Sequence, residues 1–199
     1  MTLKLAVLVS GTGRTLQNFI DLIGRGELPA KICVVVSSDP RAQGVERARK
    51  AGIPTVVLNR AKFSSDSAFS AAVTAAVRPH QVDYVLLAGF LHLYLFPREL
   101  EGRVVNIHPA LLPEFGGKGR FGPRVHEMVL KSGAKESGCT VHIADHQYDH
   151  GPILLQRKCP VLPGDTPETL AERVFQEECI AYPDAIRRLA ALAPSPSAR

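Results

Sequence analysis

Short runs of β-branched and aliphatic residues return at regular intervals through the first half of the chain, each separated from the next by helical patterning. Leu3 to Ser10 reads as a strand, Thr15 to Arg25 as a helix, Lys31 to Ser37 as a strand and Gly44 to Ala51 as a helix. Few folds accommodate that rhythm: it predicts βαβ units and a parallel sheet. The alternation continues with a strand at Thr55 to Leu58, an alanine-rich helix at Ser65 to Val77 and a buried strand at Tyr84 to Ala88.

The second half changes character. A strand at Val104 to Ile107 is followed by a Gly- and Pro-rich loop from Pro113 to Pro123 and a short helix near Arg124 to Lys131. Gly138 to Ala144 and Ile153 to Val161 then read as two strands joined by a polar turn, lying antiparallel in the same sheet. Thr166 caps a last helix with Pro167 in its first turn, running to about Leu192, and Tyr182-Pro183 is expected to kink or split it. The whole predicts an α/β fold: a doubly wound, mostly parallel sheet of about seven strands with helices on both faces and antiparallel C-terminal strands. A chain of 199 residues with 45% hydrophobic content supports one core, so residues 1–192 are expected to form a single domain and 193–199 a disordered tail.

Several function classes are disfavoured. The longest apolar runs are far shorter than a bilayer requires, and the N-terminus has no signal-peptide layout, so no membrane role and a cytoplasmic location are expected. The net charge of +5 comes from scattered lysines and arginines, which suits phosphorylated metabolites better than nucleic acid. Cys33, Cys139, Cys159 and Cys179 form no CxxC pair and are expected to be reduced and mostly buried.

Ser10-Gly11-Thr12-Gly13-Arg14-Thr15-Leu16 joins the first strand to the first helix. Main-chain N–H groups and the helix dipole at such a junction favour a phosphate. Leu16 stands where a dinucleotide fingerprint requires a third glycine. The alternative is that the glycines only permit a tight turn.

Asn106-Ile107-His108-Pro109 ends a strand, and the period of two puts Asn106 and His108 on one face at the carboxyl edge of the sheet. Farther along, Asp149-His150-Gly151-Pro152 supplies a carboxylate on a rigid turn. A neutral donor, an imidazole and a carboxylate suit acyl transfer through a tetrahedral oxyanion, and a carboxylate beside His108 would favour its charged form. The alternative reading is a strand-end Asn and His making turn hydrogen bonds, with Asp149 solvated. His142, His146 and His150 are evenly spaced and would align as metal ligands on a helix, but strand-formers before them and Gly-Pro after them favour structural or solvent-facing roles for His146 and His150.

Taken in order, Ser10-Gly11-Thr12-Gly13, Leu87-Ala88-Gly89-Phe90, Asn106 to Pro113, Gly138-Cys139-Thr140-Val141-His142 and Asp149 to Ile153 resemble the glycinamide ribonucleotide formyltransferases of purine synthesis over nearly the whole chain. The resemblance implies attack by the amine of glycinamide ribonucleotide on the formyl carbon of 10-formyltetrahydrofolate, without metal. Asn106 would donate to the oxyanion, His108 would be held charged by Asp149, and Asp149 would position a water for proton transfer. Gly13, Arg14 and Thr15 would bind the phosphate and Glu178 the ribose. Folate would lie along Leu91, His92, Leu93 and Tyr94 and along the loop that begins with Ala144 and Asp145. His142 would support the site's hydrogen bonds, and Lys118 would reach toward a substrate anion. Arg14-Thr15, Asp66, His150 and Cys179 depart from the pattern common in bacterial members. A monomer or homodimer is expected.

A hydrolase of the same folate, which tends to show a second histidine where Pro109 stands, is the nearest rival. A transfer-RNA formyltransferase, which would need a C-terminal RNA-binding extension, a non-catalytic nucleotide-binding module and a metal hydrolase are the others.

Overall fold

In the computed structural model, which describes residues 2–192, seven strands form one mixed sheet in the order β3-β2-β1-β4-β5-β6-β7. The elements, in chain order, are β1 (Leu3–Val9), α1 (Arg14–Gly24), β2 (Ala30–Ser37), α2 (Gln43–Lys50), β3 (Thr55–Val57), α3 (Asp66–Val77) and β4 (Tyr84–Leu87). They continue with β5 (Val104–His108), α4 (Pro123–Ser132), β6 (Glu136–Ile143), β7 (Ile153–Pro160) and α5 (Pro167–Leu192). The expected tail, 193–199, lies outside the described residues. Contacts divide the chain into two compact units, one holding residues up to Val104 with the chain from Pro183 onward, the other Val105–Tyr182.

In the first unit β1 pairs in parallel with both β2 and β4, and β2 with β3. Leu3, Leu5, Ala6, Val7, Leu8 and Val9 are all fully buried, as a strand covered on both faces requires. The chain leaves β3 at one edge and enters the sheet again at β4, on the far side of β1. That reversal brings the ends of β1 and β4 together: Ser10 N–H donates to the Gly89 carbonyl (3.1 Å) and the Ser10 hydroxyl accepts from Leu91 N–H (3.0 Å). Helix α3 starts as the sequence suggests, with the Ser65 hydroxyl accepting from Ala68 N–H.

The second unit is antiparallel. Asn106 lies opposite His142 and His108 opposite Thr140 across β5 and β6, and β7 flanks β6 with an alternately exposed, edge-like face. The Thr140 hydroxyl is a buried node. It donates to the Ala110 carbonyl (2.7 Å) and accepts from Leu112 N–H (3.0 Å) and the Gln156 amide (2.9 Å). These bonds fix the turn that follows His108. Gly138, at φ +155°, has no room for a side chain, because a Cβ would stand 2.0 Å from the Arg157 carbonyl oxygen.

Helix α5 begins with the expected cap made reciprocal: Thr169 N–H donates to the Thr166 hydroxyl and Thr166 N–H to the Thr169 hydroxyl. The expected split at Pro183 does not occur, and the helix is continuous through it. A proline there removes one backbone hydrogen bond, whereas Ala181, Tyr182, Ala185 and Ile186 on either side are essentially fully buried. The Tyr182 hydroxyl also donates to the Val105 carbonyl at 2.8 Å. Burial on that scale outweighs one lost bond.

Candidate active site

The carboxamide, imidazole and carboxylate singled out in the sequence meet in the second unit. Asp149 Oδ1 lies 3.2 Å from His108 Nδ1 and accepts from the Asn106 amide nitrogen at 3.3 Å. Two donors therefore converge on one anionic oxygen. The other oxygen, Oδ2, accepts from Gly117 N–H at 2.9 Å. Asp149 reaches this position with φ +52°, a left-handed conformation that a non-glycine residue adopts at a cost on the order of 1 kcal/mol.

Each side chain is further constrained. His108 Nε2 faces the Phe115 carbonyl at 2.9 Å, so both of its ring nitrogens face acceptors and the imidazolium can donate to both. The His142 ring bridges Asn106 Nδ2 (3.1 Å) and the Ile143 carbonyl (3.1 Å from Nδ1). Those partners select the tautomer with hydrogen on Nδ1, leaving Nε2 to accept from Asn106. Burial lowers the His142 pKa and keeps the ring neutral, against the opposing influence of its own backbone bond and of Asp149. One Asn106 N–H is thus committed to His142 and the other to Asp149.

Asp149 is about nine-tenths buried. Burial alone would push its carboxyl up, but the His108 hydrogen bond and charge, Gly117 N–H and His142 together hold it below the ordinary value. Among the described residues no group of three or more His, Cys, Asp or Glu is arranged to hold a metal. The evenly spaced histidines do not converge: His142 turns to Asn106 and His150 pairs with Asp145.

In the first unit, Gly13 precedes α1 at φ +67°, and a Cβ there would lie 2.5 Å from Gly44 Cα. That glycine serves close packing of α1 on α2 as well as the turn. The Arg47 guanidinium ties the loop down, donating to the Thr12 carbonyl at 2.9 Å. Arg14 is exposed and Thr15 buried. Leu91 is exposed and His92 half-buried against the Phe69 and Phe90 rings. Leu93 is half-buried, and Tyr94 is buried with its hydroxyl bonded to Thr74 (2.9 Å). Asp66 pairs with Arg60 at 2.8 Å. In the second unit, Ala144 is buried, Asp145 and Glu178 are half-buried, and Lys118 is exposed.

The sequence reading overlooked Phe115, Gly117, Thr140 and Gln156 as supports, and it overlooked His126. On α4, His126 is 4% exposed and its Nδ1 has no hydrogen-bond partner. Burial first, then the charge of His108, pushes its pKa down to about 4. The antiparallel register of β5 with β6 could have revealed Thr140, which lies opposite His108. Of the four cysteines, all free, only Cys139 and Cys159 are buried, against an expectation of mostly buried thiols, because Cys33 and Cys179 stand at half-covered positions.

Among known proteins, residues 3–186 match the formyl transferase family model. The chain is 40% identical over 191 residues to the trifunctional purine biosynthetic protein adenosine-3 of Drosophila pseudoobscura pseudoobscura, covering 94% of this chain and 14% of that protein. It is 42% identical over 190 residues to the chloroplastic phosphoribosylglycinamide formyltransferase of Vigna unguiculata, covering 94% of this chain and 60% of the relative. A crystal structure of glycinamide ribonucleotide transformylase 1 from Symbiobacterium toebii superposes with a TM-score of 0.88 at 40% identity, covering 96% of this chain and 88% of the other.

Proposed function

Because the chain belongs to the formyl transferase family, we propose that it transfers the formyl group of 10-formyltetrahydrofolate to the amine of glycinamide ribonucleotide in purine synthesis. One observation carries the reading: the Asn106 amide and His108 Nδ1 converge on a single anionic oxygen, at 3.3 and 3.2 Å. An oxyanion formed at an attacked carbonyl requires that arrangement of donors.

The folate supplies the activated formyl group, and the residues of this chain manage charge and protons. The oxyanion forms beside Asp149 Oδ1, within reach of Asn106 and His108, while Asp149 keeps its contact with His108 and Gly117 N–H keeps Oδ2 in position. Asn106, oriented through His142, shares the N–H it gives Asp149 with the developing oxyanion. His108, held as imidazolium by the carboxylate, stabilises the negative oxygen. Asp149, through a water, accepts the proton lost by the attacking amine and returns it to the departing folate nitrogen. The new carbon–nitrogen bond and the proton balance leave no covalent enzyme species.

The same reading assigns the nucleotide phosphate to Gly13, Arg14 and Thr15. The Thr15 side chain is buried, so its part is played by the main-chain N–H at the start of α1. Glu178 takes the ribose hydroxyls. Leu91, His92, Leu93 and Tyr94, together with Ala144 and Asp145, take the folate, and the aromatic neighbours of His92 suit a flat ring. A single domain over 1–192, a monomer or homodimer in the cytoplasm, and no nucleic-acid or membrane partner complete the proposal. No helix among the described residues is long and apolar enough to cross a membrane.

The test is folate turnover with glycinamide ribonucleotide present and omitted. Turnover is expected only with the nucleotide. Equal turnover without it would make the protein a hydrolase of the formyl donor and overturn the reading.

A further inference from the structure

Asp149 holds its catalytic position in a backbone conformation that it would leave if the loop were free, at φ +52°. The base of the loop is closed by Ile143 N–H donating to the Pro152 carbonyl at 2.9 Å. Gly151, at φ +105°, presses so closely on the Ile143 carbonyl that a Cβ would stand 2.3 Å from its oxygen. Between these points Asp145 ties the loop across. Asp145 Oδ1 accepts from Gln147 N–H at 2.8 Å, and Asp145 Oδ2 is in hydrogen-bond contact with His150 Nδ1.

We propose that His150 is a positioning residue for the reaction: by folding back onto Asp145 it fixes the peptide between Asp149 and His150, and so presents the Asp149 carboxylate to Asn106 and His108. The proposal rests on the formyl-transfer reading of that carboxylate.

The geometry explains why the effect falls on chemistry. The His150 side chain is 63% exposed and that of Asp145 39%, so the pair adds little to global stability. Its leverage is local. His150 directly follows the residue in the left-handed conformation, and a free side chain at 150 would let Asp149 relax toward an ordinary φ. Even a small displacement would carry Oδ1 out of the position shared by His108 Nδ1 and Asn106 Nδ2, and catalytic geometry tolerates little displacement. Asparagine at 150 would place its amide nitrogen close to where Nδ1 stands and could replace the tie, whereas alanine could not.

The test compares wild type, His150→Ala, His150→Asn, Asp145→Ala and the double alanine variant, measuring kcat, the KM for glycinamide ribonucleotide and thermal midpoint. His150→Ala is expected to lower kcat about 5- to 10-fold, with that KM and the midpoint unchanged. His150→Asn should recover to within about twofold, and the double variant should be no slower than the slower single variant. Wild-type kcat in His150→Ala would overturn the proposal. So would an asparagine variant as slow as the alanine one, or losses that multiply in the double variant. A second readout needs no substrate. The downfield Nδ1 proton of His108 in histidine-labelled protein should be retained in wild type and His150→Asn and be shifted or lost in His150→Ala. If the wild type fails to transfer formyl groups to the nucleotide, the functional reading falls, and this resonance still decides whether the tie exists.

Discussion

His126 should make the protein sensitive to mild acid, and replacing it should reduce that sensitivity. Its ring is 96% buried by solvent exposure, next to Val125 and Val129 on α4, and its Nδ1 has no partner. Burial, helped by the charge of His108, takes its pKa from an ordinary 6.5 to about 4. In the unfolded chain the imidazole protonates at its ordinary value, so between these limits the unfolded state binds more protons and folding stability falls as the pH falls. Above about pH 7 the group exerts no such pull. At 1.36 kcal/mol per pH unit the full gap corresponds to about 3 kcal/mol, of which about 2 kcal/mol is lost by pH 5. The perturbation is His126→Leu, which fills similar space with no proton to bind. Urea unfolding of both proteins at about pH 7.5 and about pH 5 should show the wild type losing about 2 kcal/mol more than the variant over that interval. At the higher pH the variant should be as stable or slightly more so, since it removes an unpaired buried nitrogen. Parallel pH dependence in the two proteins would refute the claim that His126 is buried and uncharged.

Thr140→Val keeps the shape of its side chain and removes three hydrogen bonds around the turn after His108; unfolding should cost about 2–3 kcal/mol less, measured by urea titration, with kcat also reduced. Gly138→Ala should lower the thermal midpoint sharply, by the equivalent of at least about 2 kcal/mol, because its Cβ would collide with the Arg157 carbonyl. Asn106→Ala should reduce kcat about 10²- to 10³-fold with little effect on the KM for the nucleotide, as expected for a donor used mainly in the transition state.

The alternation of strands and helices was legible in the sequence because hydrophobic periodicity is local. The boundaries of β1, β2 and α1 fall within a residue of those expected. The three central residues of the site were legible for another reason. A strand-end Asn and His and a turn Asp are chemically conspicuous, and period two places the first pair on one face. Their supports were not. Phe115 and Gly117 act through main-chain atoms, which carry no side-chain signature, and the burial of His126 depends on packing that spacing along α4 does not reveal. The expected split at Pro183 failed because a local rule was outweighed by burial on both sides. The tie from His150 to Asp145 was not legible: the spacing left His150 in a structural or solvent-facing role without naming the carboxylate five residues back that it meets.

The most direct trial of the site is Asp149→Asn, which keeps the size of the side chain and removes its charge. Formyl transfer to glycinamide ribonucleotide, followed at saturating concentrations of both substrates, should fall about 10²- to 10⁴-fold in kcat. A variant that turns over within about threefold of wild type would contradict the assignment of Asp149 as the group that holds His108 charged and carries the proton.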